Sequence, residues 1–193
     1  MNSSLRLFIA IELPADVLAT LNDMQHQLQR DPALARLSWV RPEGIHLTLK
    51  FLGTVPAKRL PEIEAAVARA VVGIPQLELT LGNLGTFGSP RSPRVLWVDL
   101  AGDLDTLAKL QSQVEAEVVS LGFPAEPRRF SPHLTLARVP PERAAEAARP
   151  LAEAIANRDS VRGAIRAEAL ALIKSDLQRG GAIYTQLFSA KLT

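Results

Sequence analysis

The sequence predicts an α+β protein with an antiparallel or mixed sheet flanked by helices. Three observations carry this. Apolar runs of strand length often follow one another with only a turn between them, and such sequential strands favour antiparallel pairing. Four other segments place apolar residues at helical spacing. There is also a weak internal duplication, because the tetrapeptide His-Leu-Thr-Leu occurs twice, 87 residues apart (133 − 46).

The elements follow in order. Leu5–Leu13 (LRLFIAIEL) is a mostly apolar run bounded by Pro14 and reads as a buried central strand. Ala15–Arg30 carries Val17, Leu18, Leu21, Met24 and Leu28 at helical spacing. Ser38–Val40 is a short extended piece before the turn Arg41-Pro-Glu-Gly44, and Ile45–Leu52 is a strand closed by Gly53. Ala57–Val72 is helical, with Leu60, Ile63, Val67 and Val71 on one face. Gln76–Phe87 and Arg94–Leu100 are strands joined by a Gly-Ser-Pro-Arg-Ser-Pro turn. Asp103–Leu121 is a long helix stopped at Gly122, Phe130–Val139 a strand, and Pro141–Asn157 an Ala-rich helix. Arg162–Ile173 and Ala182–Leu192 are terminal strands around the turn Gly180-Gly181. No linker or low-complexity tract interrupts the chain, so residues 1–193 read as a single domain.

Composition narrows the function classes. With 193 residues, 47% of them hydrophobic and 22% charged, the chain is ordinary globular protein, long enough to bury a core. It has no cysteine, which excludes a disulfide framework, a zinc knuckle and a thiolate nucleophile, and fits a reducing compartment. The apolar run near the start, Leu7 to Ile11, is too short for a signal peptide or a spanning helix. The expectation is a cytoplasmic protein without a membrane anchor. The formal charge is +2 (22 − 20). The pI of about 9.3 is higher than that charge suggests because almost nothing titrates between histidine and lysine. It is therefore weak evidence for nucleic-acid binding.

The chemistry lies in the repeat. Two of the three histidines sit in His46-Leu47-Thr48-Leu49 and His133-Leu134-Thr135-Leu136. Nine of the residues are threonine, so a His with Thr two positions later arises by chance about one time in twenty. Two such cases among three histidines are far rarer. On a strand, side chains alternate between faces. The leucines then enter a core, while His46 and Thr48, and His133 and Thr135, share the other face. Two such strands around one groove would bring two imidazoles and two hydroxyls to one point. That set suits phosphodiester chemistry. A neutral imidazole deprotonates the attacking water or hydroxyl, a protonated one donates to the leaving oxygen, and the hydroxyls steady the non-bridging oxygens. Which histidine plays which part stays open at this level. Nothing in the scheme needs a metal, and no His-x-x-x-His or acidic cluster accompanies the pair.

These residues resemble the 2H phosphoesterase superfamily, which carries two His-x-Thr-x motifs. Within it, the chain is similar to the RNA 2′,3′-cyclic phosphodiesterases, long called 2′-5′ RNA ligases (LigT-like). The likeness runs through LFIAIELP, WVRPEGIHLTLKFLG, FSPHLTLARV and Ser175 with GAIYTQLFSAKL. It implies a bilobal, pseudo-twofold α+β fold with one motif from each lobe facing a central cleft. It implies cofactor-free and metal-free hydrolysis of a terminal RNA 2′,3′-cyclic phosphate to a 2′-phosphomonoester. His46 would be the general acid, His133 the general base, and Thr48, Thr135 and Arg138 would bind the phosphate. Arg138 stands five residues from His133, so an ideal strand aims it away from the groove; a bulge or strand end near Ala137 is needed to bring it round. The expected partner is RNA with a 2′,3′-cyclic phosphate end, with no membrane, and the expected state is a monomer. Alternatives are the same chemistry on 2′-5′ linkages or small cyclic nucleotides, and a non-catalytic RNA-binding module.

Other residues read less sharply. His26 is a surface histidine. Lys50 shares the parity of His46 and Thr48 and either edges the groove or ends a solvated strand. Arg128 and Arg129 either meet an RNA backbone or lie in a solvated loop. Phe51, Phe130, Trp39, Trp97 and Tyr184 are candidates for stacking a terminal base. Arg158, Arg162 and Arg166 read as a solvated face.

Overall fold

A computed structural model of the chain describes residues 3–157, 163–178 and 181–193. Leu7 to Ile11 are all buried because β1 (Ser4–Glu12) is covered on both faces. Leu7, Ile9 and Ile11 enter the main core, while Phe8 and Ala10 point the other way into a small second cluster with Ala171 and Ile173.

The chain continues through α1 (Ala15–Leu28), α2 (Pro32–Ala35), β2 (Ser38–Trp39), β3 (His46–Pro56), α3 (Leu60–Ala70), β4 (Leu77–Ser89) and β5 (Ser92–Gly102). It ends with α4 (Leu104–Ser120), β6 (His133–Arg138), α5 (Ala144–Ala156), β7 (Ala164–Ala167), β8 (Ala169–Gln178) and β9 (Gly181–Lys191). The strands form one curled sheet in the order β7-β4-β5-β6-β3-β1-β8-β9, with β2 alongside β6. Every described pairing is antiparallel. The two halves of the sheet meet where β3 touches β6 through a single bridge, Leu47 to Leu134.

The described helices bury apolar side chains in one core. Leu21 of α1, Leu34 of α2, Ile63 of α3, Leu110 of α4 and Leu151 of α5 belong to the same cluster as Leu47, Leu49, Leu134 and Leu136. The helices therefore cover the leucine face of the motif strands and leave the opposite face free. Burying each such side chain is worth roughly 1.5–3 kcal/mol. No described helix is long and apolar enough to cross a membrane.

The structure corrects several expected boundaries. β3 runs through Gly53 to Pro56, because Gly53 adopts φ +71° at a bulge and the strand resumes pairing with the start of β1. The segment expected as one strand, Arg162–Ile173, is two: β7 pairs with β4, β8 pairs with β1, and Glu168 lies between them. The chain thus crosses between sheet halves there. Arg158, Arg162 and Gly180 lie outside the described residues. β6 starts at His133 and not at Phe130, since Pro132 has no N–H to give a ladder. The helices expected from Ala57 and Pro141 each open with a 3₁₀ turn, Ala57–Arg59 and Pro141–Arg143. The β4–β5 hairpin closes on two residues, Pro90 and Arg91, between the paired Ser89 and Ser92. Helix α2 is too short to show a period, although Asp31 caps it by accepting from the Ala33 and Leu34 amides.

Candidate active site

The single bridge between the sheet halves sets the geometry. Leu47 and Leu134 are paired and buried, so the residues on either side of each project from the opposite face. Antiparallel counting from that bridge puts His46 across from Thr135 and Thr48 across from His133. All four are half-buried. The two histidines stand on a diagonal, about 7–8 Å apart in a regular ladder, which is wide enough to admit a phosphate group between the rings. The structure thus gathers on one face the four residues that the repeat singles out.

Each motif strand then carries a bulge. On β6, Ala137 pairs with Leu96 and Thr135 with Trp97, so Leu136 has no partner on β5. Leu136 and Ala137 are buried in succession and Arg138 emerges exposed, on the face of His133 and Thr135. This is the irregularity that Arg138 needs. On β3, Lys50 pairs with Ile9 and Thr48 with Ala10, which leaves Leu49 unpaired on β1. Here the same parity shift overturns an expectation. Lys50 turns into the core, 7% exposed, and its ammonium donates to Glu115 on α4 and to the Pro124 carbonyl, both at 2.8 Å. It neither edges the groove nor ends a solvated strand. Phe51 emerges instead, 64% exposed, at the place on β3 that Arg138 holds on β6.

The two histidines differ in their surroundings. His46 stacks on Phe8 at 4.5 Å between ring centroids, and Tyr184 meets it edge-on at 5.1 Å. Gly44 permits this closeness, because a Cβ there would lie 3.1 Å from the Tyr184 ring. Burial among these rings pulls the His46 pKa down from 6.5 to about 4, and a hydrogen bond to the Gly44 backbone opposes the shift. His133 is more open. Its Nδ1–H donates to the Ser131 carbonyl at 2.7 Å, which leaves Nε2 with the lone pair in the neutral ring. Phe87 meets it edge-on at 4.8 Å. Both imidazoles are thus held by a backbone group two residues upstream.

The remaining expected residues divide. Tyr184 lies beside His46, Phe51 lies against Phe8, and Trp97 lies beside His133 and Phe87. Trp39 donates its indole N–H to the Leu34 carbonyl at 2.9 Å, and both Trp39 and Phe130 pack against the main core. Arg128 is exposed and tied to Glu126 at 2.7 Å. Arg129 and His26 are exposed. Arg166 lies on β7 and contacts Gln76, Glu78 and Glu168. Phe8 and Phe87 escape sequence reading, because only the strand register shows that they reach a histidine. A hollow of about 70 Å³ adjoins His46 between Glu12, Glu43, Ile173 and Tyr184. A larger one, of about 230 Å³ near Arg166 and Ser189, touches neither histidine. Among the described residues, no group of three or more His, Asp or Glu is arranged to hold a metal ion.

Comparison with known proteins shows the family and the fold. The family model of the LigT-like phosphoesterases matches the chain twice, over residues 11–97 and 98–184. A curated relative from Methanothermobacter thermautotrophicus, named RNA 2′,3′-cyclic phosphodiesterase, is 33% identical over 94% of this chain and 96% of its own. The crystal structure of TT0787 from Thermus thermophilus superposes with a TM-score of 0.77 at 28% identity, covering 97% of both chains. That of E. coli LigT complexed with 3′-AMP superposes with a TM-score of 0.75 at 26% identity, covering 98% of both.

Proposed function

Since the chain belongs to the LigT-like phosphoesterase family, and is on that ground a phosphoesterase, we propose that it hydrolyses the 2′,3′-cyclic phosphate at an RNA end to a 2′-phosphomonoester, by acid–base catalysis between His46 and His133 without a metal. The observation that carries this reading is the shared face of the two motifs, with a histidine of one diagonal to a histidine of the other across the Leu47–Leu134 bridge. The names of the relatives support the substrate class.

In this reading His133 Nε2 takes a proton from water as the water oxygen bonds to phosphorus. The bond from phosphorus to the 3′ oxygen breaks, and His46 protonates that oxygen. The products are a 2′-phosphate and a 3′-hydroxyl. Thr48, Thr135 and Arg138 hold the non-bridging oxygens as charge gathers on them. Phe51 offers its exposed ring to the terminal base. Because both halves of the sheet contribute, residues 1–193 act as one unit.

The low pKa of His46 is compatible with an acid. Free, the ring is neutral at pH 7. A phosphate monoanion about 4 Å away is worth about 4 kcal/mol at an effective dielectric of 20. That equals about three pKa units, which would carry His46 from about 4 to near neutrality. The substrate therefore brings the charge that lets its own acid hold a proton.

The test is incubation with an oligoribonucleotide ending in a 2′,3′-cyclic phosphate, followed by identification of the product phosphate. Turnover to the 2′-phosphate, undiminished in EDTA, is expected. His46→Ala and His133→Ala should each lower kcat at least about a hundredfold while leaving the circular dichroism spectrum unchanged. Loss of activity on chelation, restored by a divalent ion, would contradict the mechanism. Binding without turnover of any cyclic phosphate would point to an RNA-binding module instead.

A further inference from the structure

We propose that Gln25, remote from the histidines, is a positioning residue: it holds the β6 bulge that turns Arg138 onto the motif face. The proposal rests on the phosphate-binding part assigned to Arg138 above.

Gln25 lies on α1 in the same buried stripe as Val17, Leu21, Met24 and Leu28, and is 2% exposed. A primary amide in that position is costly unless its N–H groups are satisfied. Its Nε2 donates to the Val40 carbonyl at 2.8 Å and to the Leu136 carbonyl at 3.0 Å. Leu136 is the residue that β5 leaves unpaired, and its carbonyl also accepts from the Val40 amide at 2.9 Å. One side-chain amide therefore joins the bulge to the segment just after β2, from the core side. Beyond the bulge, β2 pairs Trp39 with Ala137 and Ser38 with Arg138. If the bulge were ironed out, Arg138 would keep its five-residue offset from His133 and face the core.

The other motif supplies an independent parallel. Among the described residues, Gln25, Lys50 and Ser175 are the buried polar or charged ones. Lys50 directly follows the unpaired Leu49 and is tied to Glu115 of α4. Each bulge thus has a buried polar group behind it, linked to a helix of the opposite sequence half. α1 precedes the first motif and braces the second; α4 precedes the second and braces the first.

The experiment compares wild type, Gln25→Met, Arg138→Ala and the double variant on the cyclic-phosphate oligoribonucleotide. Backbone amide exchange at Val40, Ala137 and Arg138 is followed in parallel. Val17→Ala serves as a control that loosens α1 without touching the bulge. Gln25→Met should lower kcat/KM about tenfold or more, the scale of a charge-assisted hydrogen bond. Arg138→Ala should lower it at least as far, and the double variant no further than Arg138→Ala alone. Exchange at the three amides should quicken about tenfold or more in Gln25→Met and stay near wild type in Val17→Ala. If Gln25→Met does not fold, Gln25→Asn withdraws the same donors by one methylene and takes its place. Losses that multiply in the double variant, or exchange at these amides that stays at the wild-type rate, would overturn the proposal. If Arg138→Ala alone leaves kcat/KM intact, the part given to Arg138 fails, and so does the positioning built on it. If the wild type turns nothing over, the functional reading fails, and the exchange rates still decide whether Gln25 holds the bulge.

Discussion

His46 and His133 share four letters of sequence and differ in how closely rings enclose them. His46 is closed in by Phe8 and Tyr184, which hold its pKa at about 4, whereas His133 has an oriented ring on a more open part of the face. If His46 is the acid, the two pH profiles of the enzyme must separate. kcat/KM reports the free enzyme, in which protonated His46 is lost above about pH 4. kcat reports the complex, in which the bound anion has lifted that pKa. The break that His46 sets in kcat should therefore lie about three pH units above the break it sets in kcat/KM. Steady-state rates from pH 3.5 to 9 measure both. Breaks that coincide in the two profiles would mean that bound substrate does not charge His46, and the part of acid assigned to it fails.

At the scale of the element, the bulges decide which residues share the face of the two histidines. Lys50 and Phe51 exchange faces at Leu49, and the cost of burying an ammonium is met by Glu115. That carboxylate also accepts from the Glu126 amide, and its second oxygen, Oε2, has no partner. Lys50→Met would leave Glu115 charged, partly buried and unpaired, at a cost of about 3–5 kcal/mol. Adding Glu115→Gln removes the stranded charge and should recover most of that loss. Urea unfolding midpoints of the two variants check this; a single variant as stable as wild type would show that the pair contributes nothing. The same bulges mark the limit of what the sequence discloses. Within His46–Leu49 and His133–Leu136 alternation holds, and four letters suffice to place two histidines and two threonines on one face. One residue further it breaks. Lys50 is then assigned the wrong face, and Arg138 reaches the right one only if a bulge is assumed. Phe8, Phe87 and Gln25 read as ordinary core or helix residues, because their parts depend on pairings between strands far apart in the chain. The split at Glu168 is hidden for the same reason, as β7 and β8 pair with strands on opposite sides of the molecule.

The whole molecule is a duplication whose halves have exchanged strands. The two family matches each span 87 residues, the same distance that separates His46 from His133. Yet β4 of the first half pairs with β7 of the second, and β8 of the second half pairs with β1. Symmetry of fold does not bring symmetry of charge. Aromatic rings flank both motifs, Phe8 and Tyr184 at the first and Phe87 and Trp97 at the second; Arg138 and the exposed Arg128 and Arg129 lie near the second in sequence. Arg128 is held by Glu126, whereas Arg129 has no ion pair among the described residues. With a net charge of only +2, any attraction to RNA must come from local groups such as these and not from the field of the whole protein. If Arg138 and Arg129 each meet one phosphate, the slope of log(kcat/KM) against log salt is about −1.4 for a single-stranded substrate. Arg138→Ala should reduce that slope by about 0.7, and Arg128→Ala should leave it unchanged. Rates on the oligoribonucleotide between 20 and 500 mM potassium chloride measure it. A slope of about −3 or steeper would mean that the RNA is held by a far wider basic surface than the second motif provides.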